Sequence, residues 1–165
     1  SRTKSQSIGV IGTHATIQSN SYGEKLKAIR PKINIFNQSC PLFVPLVEEG
    51  LTRGPITKLI VESYLSHFKN TDVDTLILGC THYPILTAEI KDVVGKNISL
   101  VDSGKATAEV VMDVLKKNGI LSEESNGGVH SFVTDSKQSF QKVITKALTS
   151  EINISIKSIN RIDIG

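Results

Sequence analysis

Cys80 and His82, with Thr81 between them, follow an aliphatic run in the stretch DTLILGCTHYP at residues 74–84. A thiol and an imidazole this close can exchange a proton near neutral pH, where imidazole changes charge and a thiolate, once formed, is a competent base and nucleophile. The run ending at Gly79 reads as a buried parallel strand. Cys80 then stands just past a strand's carboxyl end, the edge at which α/β proteins bind ligands. A helix expected to begin near Pro84 turns its unpaired N–H groups back towards residues 80–83, a field that favours a thiolate or an anionic ligand. Gly79 lets backbone or substrate approach closely. The competing reading treats Cys80 as a small buried hydrophobe, but two polar residues directly after a strand end favour chemistry. Zinc would need donors from Cys40 or a distant histidine, because Cys80-x-His82 is tighter than the usual ligand pairs. No metal is expected.

The elements that must hold these groups alternate. SIGVIG (7–12), INIFN (33–37), DTLILG (74–79) and ISLVD (98–102) are short, mostly aliphatic and bounded by turn residues, as buried parallel strands are. Between them, residues 54–70 place Ile56, Leu59, Ile60, Tyr64 and Phe68 near one helical face, with Pro55 in the first turn. Residues 103–119 form a second stripe, Thr107, Val110, Val111, Val114 and Leu115, with Ser103 as N-cap and Gly119 as the stop. The alternation predicts an α/β layered fold around a parallel sheet. SEESNGG (122–128) then reads as a polar loop and HSFVT (130–134) as a strand. A helix is expected over 137–148, with Phe140, Val143, Ile144 and Ala147 on one face. INISIKSI (152–159) alternates Ile152, Ile154 and Ile156 as a strand with a solvated face or at an edge.

The totals narrow the function classes. With 165 residues, 39% hydrophobic and 21% charged, the chain can bury an ordinary core. Mean hydropathy is −0.03, and no apolar run approaches the ~18 residues of a membrane span. The net charge of +3 is scattered, and Lys116-Lys117 suits the last turn of a helix. Neither nucleic acid nor membrane is therefore an expected partner. Two cysteines and no signal-peptide pattern fit a reducing, cytoplasmic setting. The start, SRTKSQSIGV, lacks a methionine and enters a strand almost at once, as a cut chain would.

Four stretches, in order, carry a resemblance: IGVIGTHAT (8–16), CPLFVPLVEEG (40–50), GCTHYP (79–84) and LVDSGKATAE (100–109). Together they resemble the glutamate racemases of the aspartate/glutamate racemase family, which interconvert L- and D-glutamate without a cofactor and supply D-glutamate for peptidoglycan. The resemblance covers most of residues 8–120, while 121–165 is similar only in element order. It implies a flavodoxin-like second domain over 6–103 and a returning segment, 104–165, that would complete an absent first domain. That domain would bring the second cysteine, since nothing here matches the family's Ala-Cys-Asn-Thr-like motif.

The resemblance also implies roles. Cys80 is one of the two proton-transferring cysteines. Thr81 and His82 meet the substrate beside it. Thr13 and Thr16 bind the substrate's amino or carboxylate groups. Glu48 lies near the histidine and orients it. Two bases on opposite faces of Cα suit racemisation, and no lysine stands out as a pyridoxal Schiff-base site, so no cofactor is implied. The partner is then glutamate, and the resemblance leaves a homodimer open. The fragment alone is expected to be inactive. Plainer readings stand beside these: Thr13 and Thr16 as helix-start residues, Glu48 with Glu49 as a solvated pair, Cys40 as packing, and Asp102 and Ser103 as caps of the next helix. Related racemases or isomerases of aspartate, hydantoin or maleate, and a non-catalytic anion-binding module, are the alternatives. CTHYP with CPLFVPLVE favours glutamate.

Overall fold

A computed structural model describes residues 3–124, 128–148 and 155–163. The chain divides into two compact units, Ser1–Met112 and Asp113–Gly165.

The first unit is built on four parallel strands: β1 (Ser7–Gly12), β2 (Asn34–Ser39), β3 (Thr75–Leu78) and β4 (Ser99–Asp102), in the order β2-β1-β3-β4. Ile8 pairs with Ile35 on one side of β1 and with Thr75 on the other. Leu78 pairs with Asp102 where β3 meets β4. Because side chains alternate along a strand, the central strands bury both faces. On one, Ile8, Val10 and Ile33 pack with Ile17, Tyr22, Leu26, Ile35 and Ile77. The other presents Ile11, Leu76 and Leu78, all fully buried. Gly9 opens that face to Phe68: a Cβ there would meet the Leu76 side chain at 2.6 Å and the Phe68 ring at 2.9 Å. Only β1 and β3 are central. INIFN is an edge strand, and no residue of β2 is buried, contrary to the buried strand its aliphatic look suggests.

The helices are α1 (His14–Gln18), α2 (Ser21–Ile29), α3 (Phe43–Glu48), α4 (Pro55–Leu65), α5 (Thr87–Val94) and α6 (Ser103–Lys117). Pro55 opens α4 as expected, but the buried face is Thr57, Val61 and Leu65, continued by Phe68 in the 3-10 turn Ser66–Asn70. Ile56 and Leu59 are instead 61% and 67% exposed. Thr57 can be buried because its hydroxyl donates to Leu51 O at 2.9 Å, so a polar residue took a place the apolar stripe had assigned elsewhere. Helix α6 bears out Asp102 as a cap and corrects two expectations, Ser103 as its N-cap and a stripe turned inward. Its cap is Asp102, whose carboxylate accepts from the Gly104 N–H at 2.7 Å, while Ser103 is already helical. None of its residues is buried: Thr107, Val110, Val111 and Val114 are exposed, and Leu115 is half-buried.

In the second unit, β5 (Gly128–Val133) pairs in parallel with β6 (Ser155–Arg161), with a bulge between Val129 and His130. Helix α7 (Lys137–Leu148) matches its expected span, and Phe140, Val143 and Ile144 are half-buried. The Ala147 side chain, Ile152, Ile154 and residues 125–127 of the expected polar loop lie outside the described residues. Among the described residues, no helix is long and apolar enough to cross a membrane.

Candidate functional site

Strand order reverses between β1 and β3, because β1 continues outward to β2 while β3 continues to β4. A crevice beyond the carboxyl ends at such a switch point is where open parallel sheets bind ligands. The loops that follow β1 and β3 carry Thr13, Thr16, Cys80, Thr81 and His82, and α3, which follows β2, ends at Glu48.

Cys80 is half-buried. Its Sγ stands 4.0 Å from His82 Nδ1, and the Thr81 hydroxyl is 3.5 Å from the same nitrogen. On the ring's far side His82 Nε2 is 3.5 Å from Glu48 Oε1, the two side chains being 25% and 56% exposed. Thiol, imidazole and carboxylate thus stand in series, with one ring nitrogen towards the sulfur and the other towards the acid. In that order an imidazole can take a proton from the thiol while the carboxylate balances the charge that appears. Glu48 stands where it can do so because Gly50 ends α3 tightly. Gly50 adopts φ 79°, a left-handed turn suited to glycine, and Leu51 N–H closes on Leu46 O at 2.8 Å.

The helix expected at Pro84 begins differently. A 3-10 turn, Tyr83–Leu86, comes first, and α5 starts at Thr87. The Tyr83 N–H closes on Cys80 O at 3.2 Å, so the turn folds tightly over the cysteine.

Thr13 caps α1, its hydroxyl accepting from the Thr16 N–H at 3.3 Å, and the two threonine hydroxyls are 3.0 Å apart. They bond each other rather than the Cys80 turn, which satisfies the local capping reading. A Cβ on Gly79 would lie 3.5 Å from the Thr16 methyl, so Thr16 abuts the residue before Cys80. All six candidate residues therefore gather at one end of the sheet, with Cys80, Thr81 and Glu48 each within 4.0 Å of the His82 ring.

Cys40 is fully buried, and burial pushes its thiol up to about 12. It packs, with its Sγ 3.8 Å from Gln38 O. Among the described residues no group of three His, Cys, Asp or Glu side chains could hold a metal ion.

Sequence reasoning missed two features of this end. His14 Nδ1 is 3.1 Å from the Ser39 hydroxyl, joining the ends of β1 and β2. The signal was present: Thr-His follows β1 at 13–14 as it follows β3 at 81–82. The second is Tyr83, fully buried beneath the site.

No family model matches the chain. It is 42% identical over 152 residues to a glutamate racemase of Chlorobaculum parvum, covering 92% of the chain and 56% of the relative. It is 43% identical over 157 residues to one of Aquifex aeolicus, covering 95% and 58%. Among solved structures, the glutamate racemase of Francisella tularensis in complex with D-glutamate superposes with a TM-score of 0.82 at 31% identity, covering 96% of this chain and 58% of that one. A glutamate racemase isoform of Bacillus anthracis gives 0.83 at 34% identity, covering 98% and 59%. The chain spans little more than half the length of the relatives it matches.

Proposed function

We propose that this chain, which corresponds to the C-terminal portion of glutamate racemases, supplies one of the two thiols that interconvert L- and D-glutamate without a cofactor. The observation that carries the reading is the series Cys80, His82, Glu48 at the switch point of the sheet. As thiolate, Cys80 takes the Cα proton from one face of one enantiomer; as thiol, it returns a proton to that face when the reaction runs the other way. His82, backed by Glu48, holds the proton that the sulfur gives up. Thr81 is exposed beside the sulfur, and Thr13 and Thr16 edge the same crevice, so their hydroxyls and backbone N–H groups are the candidates for holding the amino and carboxylate groups. The proton must be delivered to the opposite face by a second base. Cys40 is buried and its thiol raised, so that second sulfur comes from outside these residues. Residues 6–103 form the site-bearing domain in this reading, and 104–165 pack against the segment that brings the other thiol. The enzyme would work in the cytoplasm and supply D-glutamate for peptidoglycan, with a homodimer left open. The names of the relatives favour glutamate over aspartate, hydantoin or maleate as substrate.

The test is the 165-residue chain by itself. With only one usable thiol, and the substrate open to water on its other side, orientation and exclusion of solvent are both lost. Circular dichroism of L-glutamate incubated with the pure chain is expected to stay constant. Sustained racemisation would place a second base within the chain and overturn the half-site.

A further inference from the structure

The peptide of Cys40 touches every segment that carries the site. Its N–H donates to Gly12 O at 2.9 Å, directly before Thr13. Its carbonyl accepts from the Phe43 N–H at 3.1 Å, at the first residue of α3, and from the Tyr83 hydroxyl at 2.9 Å. Tyr83 is the neighbour of His82 in the chain and is fully buried. Its ring meets Phe43 edge to face, with centroids 5.1 Å apart at 73°, and Phe43 meets Tyr64 of α4 at 5.6 Å in the same manner. One phenol therefore joins the turn holding Cys80 and His82 to the start of the short helix ending in Glu48.

This matters because the Glu48–His82 contact is weakly self-supporting. Glu48 is 56% exposed, and an exposed ion pair does little to hold long side chains in one geometry. The separation of imidazole and carboxylate is set instead by the backbones behind them. We propose that Tyr83 is a positioning residue: its hydroxyl on Cys40 O and its ring on Phe43 fix α3 against the Cys80–His82 turn, and so fix the carboxylate that backs His82. The inference rests on the roles given above to Glu48 and His82. Removing only the hydroxyl is a mild change, because Cys40 O keeps its bond from the Phe43 N–H and the ring keeps its packing.

The experiment uses the complete two-thiol enzyme, with Tyr83→Phe, Glu48→Gln and their combination. Deuterium wash-in at Cα is followed from each glutamate enantiomer separately. Tyr83→Phe is expected to slow wash-in from the enantiomer that Cys80 deprotonates about fivefold, the size of an ordinary coupling between contacting residues, and to leave the other enantiomer nearly unaffected. In the Glu48→Gln background the same substitution is expected to change little, because the carboxylate it positions is gone. Phe43→Leu, which spares the hydroxyl bond and removes the ring contact, is expected to show the same enantiomer bias. No loss on Tyr83→Phe, or an equal loss with and without Glu48, would overturn the proposal. If Glu48→Gln alone slows neither enantiomer, the carboxylate's role fails first, and the positioning role falls with it.

Discussion

Gly79→Ala tests how tightly the site is built into the sheet. A Cβ at residue 79 would lie 2.7 Å from Ile11 O, 3.2 Å from the Tyr22 ring and 3.5 Å from the Thr16 methyl. The tyrosine and threonine can shift, but the carbonyl cannot shift freely: it belongs to β1 and accepts the Gly79 N–H at 2.7 Å. Relieving the clash means parting β1 from β3 at the rung before Cys80. Overpacking of this kind costs about 1–3 kcal/mol, and the lost hydrogen bond about 1 kcal/mol more, for a total of roughly 2–4 kcal/mol. With a urea slope near ~2 kcal/mol per molar, the unfolding midpoint falls by about 1–2 M. Tyrosine fluorescence is the assay, because the chain has no tryptophan and its three tyrosines, Tyr22, Tyr64 and Tyr83, all lie in the first unit. A midpoint within about 0.3 M of the parent, well under the expected drop, would refute the claim that the backbones approach too closely for a side chain.

Iodoacetamide is expected to label Cys80 well ahead of Cys40. At about 12 against an ordinary 9.0, the Cys40 thiol carries roughly 10³-fold less thiolate at neutral pH, and it is buried as well; mass spectrometry of alkylated peptides reads the order. The same burial predicts an alkaline weakness. Above pH 9.0 an unfolded Cys40 loses its proton while the folded one keeps it, so the folded state binds more protons and stability falls with a slope approaching about 1.4 kcal/mol per pH unit. Above 10.0 the Tyr83 phenol, pushed up by burial and then by Cys40, Cys80 and Tyr64, adds to the loss. Cys40→Ala is expected to flatten the part of the stability profile just above pH 9.0. Desolvation raises the Asp74 carboxyl, but bonds from Ser5, Thr3, Lys4 and Thr75 together outweigh it and hold the group below the usual range. It accepts from the Lys4 and Ser5 N–H groups at 2.7 Å each, so Asp74→Asn is expected to speed amide exchange at those two residues about tenfold, the loss of a charge-assisted bond.

The sheet and the Cys80 turn were legible because their signals are local. An aliphatic run ending in glycine announces β3, and the polar triplet after it announces a site. The buried face of α4 was not legible. Ile56, Leu59 and Ile60 compete with Val61 and Leu65 for the same helical spacing, and only the Thr57 hydroxyl bond to Leu51 O shows which stripe turned inward. Helices α1 and α3 are too short, at 5 and 6 residues, to leave a 3.6-residue period in the sequence. The meeting of Glu48 with His82 came from resemblance rather than spacing, since it depends on how α3 crosses the strand ends. The Cys40 peptide is the least legible feature: it works through backbone N–H and C=O groups, which every residue but proline carries.

In this scheme Cys80 moves the proton at Cα. The most direct measurement is Cα deuterium wash-in from L- and D-glutamate in D₂O by the complete two-thiol enzyme, with and without Cys80→Ser. A serine in that place is a far weaker base, so racemisation is expected to fall by at least about 10²-fold, with residual exchange confined to the enantiomer served by the other thiol. Undiminished wash-in from both enantiomers after Cys80→Ser would show that Cys80 is not the base.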